Sequence, residues 1–151
     1  MDNSQAVDTL NDLIETSKDG QYGFSQAAEH VRDGEIRNVL QRRAQECAQA
    51  ADELIACVHD LGGKPEHSGS VGGAAHRGWV SLRSALAGKS DQAMLEECER
   101  GEDAAVARYR RALEEPLPPT ARSLVERQYA GVRRNHDQIK ALRDSRRDRP
   151  N

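Results

Sequence analysis

The feature that most constrains this chain is a repeat of apolar residues at spacings of three and four, which runs through four long segments. This spacing places the apolar side chains on one stripe of an α-helix, and such a stripe has to be buried against other helices. The first apolar members of the four stripes are Val7, Ile36, Leu95 and Leu124. The sequence therefore predicts four amphipathic helices that pack as a bundle.

The composition favours the same all-α fold class. Aromatic residues make up only 3% of the 151 residues, whereas charged residues make up 31%. β-Sandwiches and α/β enzymes normally contain more aromatic and β-branched side chains than this. The length suits one domain with a continuous core, which we expect to span residues 1–145. Residues 146–151 are predicted to form a flexible basic tail.

Capping residues, glycine pairs and prolines predict the bounds of the helices. The first helix is expected over about residues 4–32, and Asp33 suits the N-cap of the second. The second helix is expected to end at the pair Gly62–Gly63, a favourable C-terminal signal. The third is expected to start at Ser90 or Asp91 and to end at the turn "EEPLPPT". The fourth then runs to about Asp144.

The lengths of the connections predict how the helices are joined. Short turns link the first helix to the second and the third to the fourth, so each of these pairs is an antiparallel hairpin. The second and third helices are separated by a long connection that contains "AAHRGWVSLRSALAG", a predicted short amphipathic helix. Its apolar stripe of Trp79, Leu82 and Leu86 is expected to cover the bundle, with partner binding as the alternative. Two hairpins joined by one long crossover predict a ferritin-like up-down four-helix bundle.

Each apolar stripe is interrupted by polar residues near the middle of its helix. Interruptions at a similar height in four helices predict a polar layer inside the bundle, whose groups must bond to one another because burial of unpaired polar groups is costly. We predict an ion pair between Arg43 and Glu102, since a guanidinium can donate two hydrogen bonds to a carboxylate. The predicted members of this layer are Ser17, Gln21, Arg43, Glu46, Glu102, Gln128, Asn135 and His136.

The positions of this layer resemble, in part, the ligand positions of ferritin-like di-iron proteins. Those proteins place a Glu on each of two helices and a Glu-x-x-His pair on each of the other two. Glu102, followed by Tyr109 seven residues later, is similar to that pattern, whereas Ser17 carries a hydroxyl at the matching position of the first helix. Arg43 stands at a ligand position of the second helix, where its charge would repel a metal ion. We therefore expect no cofactor in the bundle.

The remaining acidic residues near these positions are predicted to face outward. Glu15 and Asp19 lie nearly opposite the apolar stripe of the first helix, which predicts that both are solvated. In "LEECERGED", helical phase turns Glu102 inward and leaves Glu97 and Glu99 on the flanks. The stretch is therefore predicted to contribute one firmly inward acid and not a cluster of metal ligands.

The cysteines and the glycines inside the helices each have two interpretations. Cys47, Cys57 and Cys98 lack the spacing of a metal or redox motif and are expected to be reduced, buried, small apolar side chains, with a redox or metal role for Cys47 and Cys98 as the alternative. Glycines within helices predict either close approach of two helices or room for a large neighbour such as Arg43 or Tyr109, with a small cavity beside the polar layer as the alternative. These glycines are Gly20, Gly23, Gly101 and Gly131.

Three stretches resemble a bacterial family of ferritin-like four-helix-bundle proteins of unknown function. They read "LNDLIETSKDG", "LGGKPEHSGSVGGAAHRGWVSLRSALAG" and "LEECERGEDAAVARYRRALEE", the last followed by "LPP" after one further proline. The resemblance extends from Leu10 to Asp144 and is most specific through the crossover. It implies the fold and offers no catalytic residue that could be transferred to this chain.

Charge and hydropathy exclude several functional classes. A net charge of -3 does not favour nucleic-acid binding, and no apolar stretch is long enough to span a membrane. The N-terminus lacks the pattern of a signal peptide, so we expect a cytoplasmic protein. Its predicted role is structural or interactive, through self-association or an unidentified protein partner, in a stress-related setting that only the superfamily suggests.

Two alternative functions stay open on the sequence alone. The first is a metal-dependent oxidoreductase or iron-handling protein that binds iron or manganese at a non-standard site. Its candidate ligands are Glu46, Glu102 and His136, supplemented by Glu99 or Gln128. The second is binding of a small ligand in a cavity at the polar layer.

Overall fold

The computed structural model describes residues 3–65, 78–79, 82 and 90–147. Within these residues the chain forms helices α1 (Ser4–His30), α2 (Gly34–Asp60), α3 (Asp91–Ala112) and α4 (Pro119–Arg147), and no strand. The predicted all-α four-helix bundle is confirmed. Most of the predicted crossover helix and the last residues of the predicted tail lie outside the described residues, so both stay predictions.

Side-chain caps define the starts of the second and third helices. The Asp33 carboxylate accepts hydrogen bonds from the backbone N–H groups of Glu35 and Ile36, at 2.8 and 3.2 Å. The Ser90 hydroxyl accepts one from Ala93 N at 3.2 Å. These bonds satisfy backbone donors that have no partner within the first helical turn, and they confirm Asp33 as the cap of α2.

The ends of α1 and α2 differ slightly from the predicted bounds. Asn3 is the N-cap of α1, and its side chain makes no capping bond. The helix ends at His30 and not at Arg32. Helix α2 ends just before Gly62, whose φ of 80° lies in the left-handed region that glycine adopts without strain.

Contacts between side chains fix the directions of the helices. Arg108 Nη1 donates to Asp12 Oδ1 at 3.1 Å, and Gln5 Nε2 donates to Glu115 Oε2 at 2.7 Å, so α1 and α3 are antiparallel. Since the short turn also makes α1 antiparallel to α2, the second and third helices run in the same direction.

The end of α2 and the start of α3 lie at opposite ends of the bundle. Gly63 lies against Val7, near the start of α1. Asp91, the first residue of α3, instead accepts hydrogen bonds from the backbone N–H groups of Arg32 and Asp33, at 2.8 and 3.0 Å. This carboxylate joins the turn between α1 and α2 to α3.

The core consists of two apolar clusters stacked along the bundle. One contains Phe24, Leu40, Trp79, Met94 and Ile139 among other buried residues. The second cluster lies at the opposite end of the bundle. It contains several leucines together with Ile14, Tyr109, Val125 and Val132. Along α1 and α3, respectively, Ser17 and Glu102 lie between the two clusters. The polar residues therefore lie between two apolar layers.

The described helices show no candidate for a membrane span. None of them combines the length and the apolar character that crossing a bilayer would require.

Candidate functional site at the middle of the bundle

An ion pair between α2 and α3 forms the centre of the polar layer. Arg43 Nε and Nη2 donate to Glu102 Oε1 at 3.1 and 3.0 Å, so both bonds converge on one carboxylate oxygen. The side chains are only 8% and 1% exposed. The guanidinium also lies 5.5 Å from the centre of the Phe24 ring, a cation–π distance. The pair is therefore held between aromatic and apolar neighbours.

Burial and mutual attraction act against each other in this pair. Burial raises the pKa of Glu102 above its usual value, although the charge and hydrogen bonds of Arg43 act to lower it. For Arg43, burial acts to lower the pKa, but nearby acidic groups, among them the carboxylate of Glu102 with its charge and hydrogen bonds, outweigh it and raise the pKa overall. Arg43 therefore stays charged inside the bundle and supplies the positive charge of the layer.

A second network lies about two turns farther along α3 and connects three helices. The Tyr109 hydroxyl donates to Gln128 Oε1 at 2.7 Å, and Gln128 Nε2 donates to Glu53 Oε1 at 3.0 Å. Burial raises the pKa of Tyr109, with an opposing hydrogen bond from Ser17. Ser17, Tyr109 and Gln128 are all buried, so this network keeps their polar groups paired inside the bundle.

Sequence reasoning missed Glu53, although a signal for it was present. Glu46 accepts a hydrogen bond from Asn135 Nδ2 at 2.9 Å, in the same way that Glu53 accepts one from Gln128. Glu46 and Glu53 are two helical turns apart on α2. Their partners, Asn135 and Gln128, are also two turns apart on α4 but in the reverse order, as antiparallel packing of α2 and α4 requires. The repeated glutamate on the flank of α2, opposite the repeated amide on α4, was that signal.

Four predicted members of the buried layer are not buried in it. Asn135 is half-buried, where it donates to the exposed Glu46. Gln21 is exposed, because the inward face of α1 passes through Gly20 instead. Glu46 has a 44% exposed side chain and lies 3.8 Å from Arg43, since its flank of α2 faces solvent beside α4. His136 is half-buried and its Nε2 lies 2.5 Å from Asp103 Oδ1, on the outer side of α3 and α4.

Two acids predicted to lie outside the core are fully buried. Asp19 was predicted to be solvated but is 0% exposed, because α1 is also covered on the face where Gly23 contacts Trp79. Glu97 was predicted to lie on a flank and is also 0% exposed, with Arg100 Nη2 at 2.5 Å. Both corrections arise because the buried faces are wider than a single apolar stripe.

The candidate metal ligands do not form a ligand set. Glu46 accepts a bond from Asn135, His136 is paired with Asp103, and Glu102 receives both bonds from Arg43. Among the residues that the structure describes, no three His, Cys, Asp or Glu side chains are arranged to hold one metal ion. A guanidinium at the centre of the layer is also the wrong charge for a neighbour of a divalent cation. These residues therefore do not fit a di-metal centre.

A cavity of about 370 Å³ lies beside the ion pair. It is reached between α2 and α4, the two neighbouring helices that approach each other least. Arg43, Glu102 and Gln128 contribute polar groups to its wall, and Phe24 and Trp79 contribute aromatic rings. Glu102 Oε2 is buried and has no hydrogen-bond partner among the described residues.

Trp79 explains two of the glycines inside the helices. A Cβ at Gly101 would lie 2.4 Å from the indole, and one at Gly23 would lie 2.5 Å from it. Trp79 also packs edge-on against Phe24, with ring centres 4.9 Å apart. The large neighbour is therefore Trp79 and not Arg43 or Tyr109.

The other two glycines differ from this pair. A Cβ at Gly20 would lie 2.9 Å from Cys47 Sγ, so this glycine allows α1 and α2 to approach closely. A Cβ at Gly131 would meet only Arg134 Nη2, at 3.5 Å. Gly131 lines the cavity, so here the alternative interpretation, a small cavity beside the polar layer, describes its position.

The three cysteines are free thiols with buried side chains. Burial raises the pKa of Cys47 to about 12, although the charge of Arg43 opposes this shift. Burial also raises the pKa of Cys98, with a further contribution from Glu102. Both groups are therefore protonated thiols near neutral pH, which is a poor state for a nucleophile.

Comparison with known proteins places the chain in a family. The family described as a domain of unknown function, DUF2383, matches residues 5–115. The chain belongs to the DUF2383 family. The match includes α1 from its second residue onward and the whole of α2 and α3, and therefore both partners of the central ion pair. No curated protein matches the chain in a sequence search.

Solved structures similar to this DUF2383 protein are ferritin-like. A mutant of Dps1 from Mycobacterium smegmatis is 14% identical, with a TM-score of 0.75 over 94% of this chain and 97% of that chain. A dodecameric thioferritin, the bacterioferritin-related protein of Bacteroides fragilis, is also 14% identical, with a TM-score of 0.74 over 97% of this chain and 89% of that chain. At this identity the likeness shows the fold, and the fold is ferritin-like.

Proposed function

We propose that this protein is a ferritin-like bundle in which an ion pair takes the place of a di-metal centre, and that it has a structural or interaction role. The observation that carries the proposal is the pair of hydrogen bonds from Arg43 to Glu102 at the middle of the bundle. The guanidinium balances the buried carboxylate without a metal ion. With this charge balance, the interior has no need of a cation for stability.

The fold supports self-association as the way in which the protein acts. The similar thioferritin of Bacteroides fragilis is a dodecamer, so a bundle of this shape is compatible with a closed assembly. We therefore propose a homo-oligomer, and an unidentified protein partner is the alternative. The predicted cytoplasmic location and stress-related setting belong to the same proposal.

Two measurements test the two parts of this proposal. Mass photometry across a dilution series should show an assembly larger than one chain, and a monomer at all concentrations would contradict self-association. Oxidation of iron(II) by oxygen should proceed no faster with the protein than with an equal concentration of Glu102→Ala. A faster rate that requires Glu102 would instead support the metal-dependent alternative.

A further inference from the structure

The cavity beside the ion pair has the dimensions of a binding site for a small molecule. Its volume of about 370 Å³ falls within the range of ligand pockets, about 300–1,000 Å³. It lies within the bundle and opens between α2 and α4, so a small molecule can reach it from solvent. Binding of a small molecule inside the bundle is a separate activity from self-association, and this inference therefore goes beyond the proposed structural role.

One carboxylate oxygen of Glu102, a residue that lines the cavity, lacks a hydrogen-bond donor. Glu102 Oε1 receives both bonds from Arg43, whereas Oε2 is buried and has no partner among the described residues. The side chain is only 1% exposed, so this oxygen has also lost most of its contact with bulk water. A buried acceptor without a donor is unfavourable, and a bound O–H or N–H group would remove that penalty.

The charges of the wall favour a neutral ligand. The arginines and glutamates that line the cavity are equal in number, namely Arg43, Arg127, Arg134, Glu46, Glu53 and Glu102. An anion would meet the free oxygen of Glu102, which repels it. A cation would be attracted by the Glu102 carboxylate but repelled by Arg43, whose Nη2 lies 3.0 Å from that carboxylate. The attraction would therefore be largely cancelled.

The rest of the wall suits an apolar body. Phe24 and Trp79 supply aromatic surface, and Ala105 and Val132 supply aliphatic surface. Ligand pockets of this kind combine a mainly apolar wall with a few polar groups that orient the ligand.

We propose that this cavity binds a small neutral molecule that carries a hydroxyl or N–H donor on an apolar body. The donor bonds to Glu102 Oε2, and the body lies against Phe24 and Trp79. Phenol is a suitable probe, and toluene is its matched analogue because it has nearly the same shape and lacks the donor. Benzylamine and benzoate provide a cation and an anion of similar size.

The test is calorimetric titration of the full-length protein with these probes, supported by the fluorescence of Trp79, the single tryptophan of the chain. Phenol has few heavy atoms, so we expect a dissociation constant on the order of 1 mM. Toluene should bind about tenfold more weakly or worse, because it leaves the buried acceptor unpaired. Equal binding of phenol and toluene, or tighter binding of either charged probe, would overturn the assignment. Absence of saturable phenol binding would mean that only water occupies the cavity, and would also overturn it.

A pair of glycine variants locates the binding site. Gly131→Leu places a side chain at the wall of the cavity, where a Cβ meets only Arg134 Nη2. Gly34→Leu is the matched control, because Gly34 is exposed and a Cβ there meets nothing within 4 Å. Both variants should keep the helical circular dichroism of the wild type. Phenol binding should weaken at least about tenfold in Gly131→Leu and stay unchanged in Gly34→Leu. Retained binding in a folded Gly131→Leu would place the site elsewhere and refute the proposal.

Discussion

Arg43 and Glu102 are joined by two hydrogen bonds that converge on a single carboxylate oxygen, in a layer between the two apolar clusters of the bundle. Neither side chain has appreciable contact with solvent. A buried pair of this kind is costly to form but much more costly to break, because removal of one partner leaves the other charge uncompensated. The pair therefore makes the relative placement of α2 and α3, which lie across the bundle from each other, conditional on both residues.

A double-mutant cycle measures this dependence. Arg43→Ala and Glu102→Ala should each lower the free energy of unfolding by about 3–5 kcal/mol. The double variant should cost clearly less than the sum, since neither charge is then left alone. Urea denaturation followed by circular dichroism gives all four values. Arg127→Ala, which removes a 63% exposed side chain, is the control and should cost less than about 1 kcal/mol. Additive single effects would contradict the coupling.

The contact of Trp79 with two glycines predicts an unusual response to alanine. Gly101→Ala should destabilise the protein by about 1–3 kcal/mol, because the new methyl group overlaps a rigid indole. Gly131→Ala makes the same change where there is space, and should stabilise by up to about 1 kcal/mol through helix propensity. Thermal unfolding compares the two variants, and tryptophan emission reports displacement of Trp79. If Gly101→Ala were as stable as Gly131→Ala, the packing of Trp79 between α1 and α3 would be incorrect.

Asp91 should contribute more to stability than an ordinary helix cap. Its carboxylate accepts hydrogen bonds from the backbone N–H groups of Arg32 and Asp33. These two N–H groups would lose their acceptor in Asp91→Ala. We expect a loss of about 2–3 kcal/mol, since two backbone donors would be left unsatisfied. Ser90→Ala, which removes only the cap of α3, should cost about 1 kcal/mol. A smaller effect of Asp91→Ala than of Ser90→Ala, measured by chemical denaturation, would argue against this connection.

The buried thiols predict a loss of stability at alkaline pH. The pKa of Cys47 is raised to about 12, whereas an unfolded cysteine titrates near about 8.5. Above that lower value the unfolded state loses its proton first, so the free energy of unfolding falls with rising pH. Between about pH 7.5 and 9.5, Cys47 alone should account for about 1 kcal/mol of this fall.

Cys47→Ala isolates that contribution. Its stability at pH 7.5 can differ from the wild type for reasons of packing, so the comparison concerns the change between the two pH values. The wild type should lose about 1 kcal/mol more than the variant over this interval, as urea midpoints would show. Parallel changes in the two proteins would mean that the Cys47 thiol ionises as readily in the folded state as in the unfolded state.

The fold was largely predictable because it depends on patterns that repeat along the chain. The apolar stripes defined four helices, and Asp33 and Gly62 marked two of their ends. Arg43 and Glu102 were also predictable, since a charge within an apolar stripe has to find a partner of opposite sign.

Other features depend on how wide each buried face is, which a stripe does not determine. Gln21 fits a repeat of three and four residues, but Gly20 provides the close approach to Cys47 and turns Gln21 to solvent. Asp19 is buried because α1 is covered on a second face, where Gly23 and Trp79 meet. That second contact comes from a segment far away in the chain, so local periodicity could not predict it.

From the sequence, a cavity at the polar layer could be given only as an alternative interpretation, because its existence depends on the distance between two helices. Glutamates of α2 face amides of α4 across the gap between these two helices. Their side chains pair near the surface and do not pack into each other in the core. Since sequence alone gives no interhelical distance, the space between these flanks became evident only in three dimensions.

We propose that Arg43 provides the positive charge that a metal ion would supply in a di-metal bundle. Metal analysis can test this role of Arg43. The protein is purified without chelators, incubated with iron(II), manganese(II) or zinc(II), and then separated from free metal. We expect clearly substoichiometric metal that does not change in Glu102→Gln. Stoichiometric metal that is lost in a folded Glu102→Gln variant would contradict it.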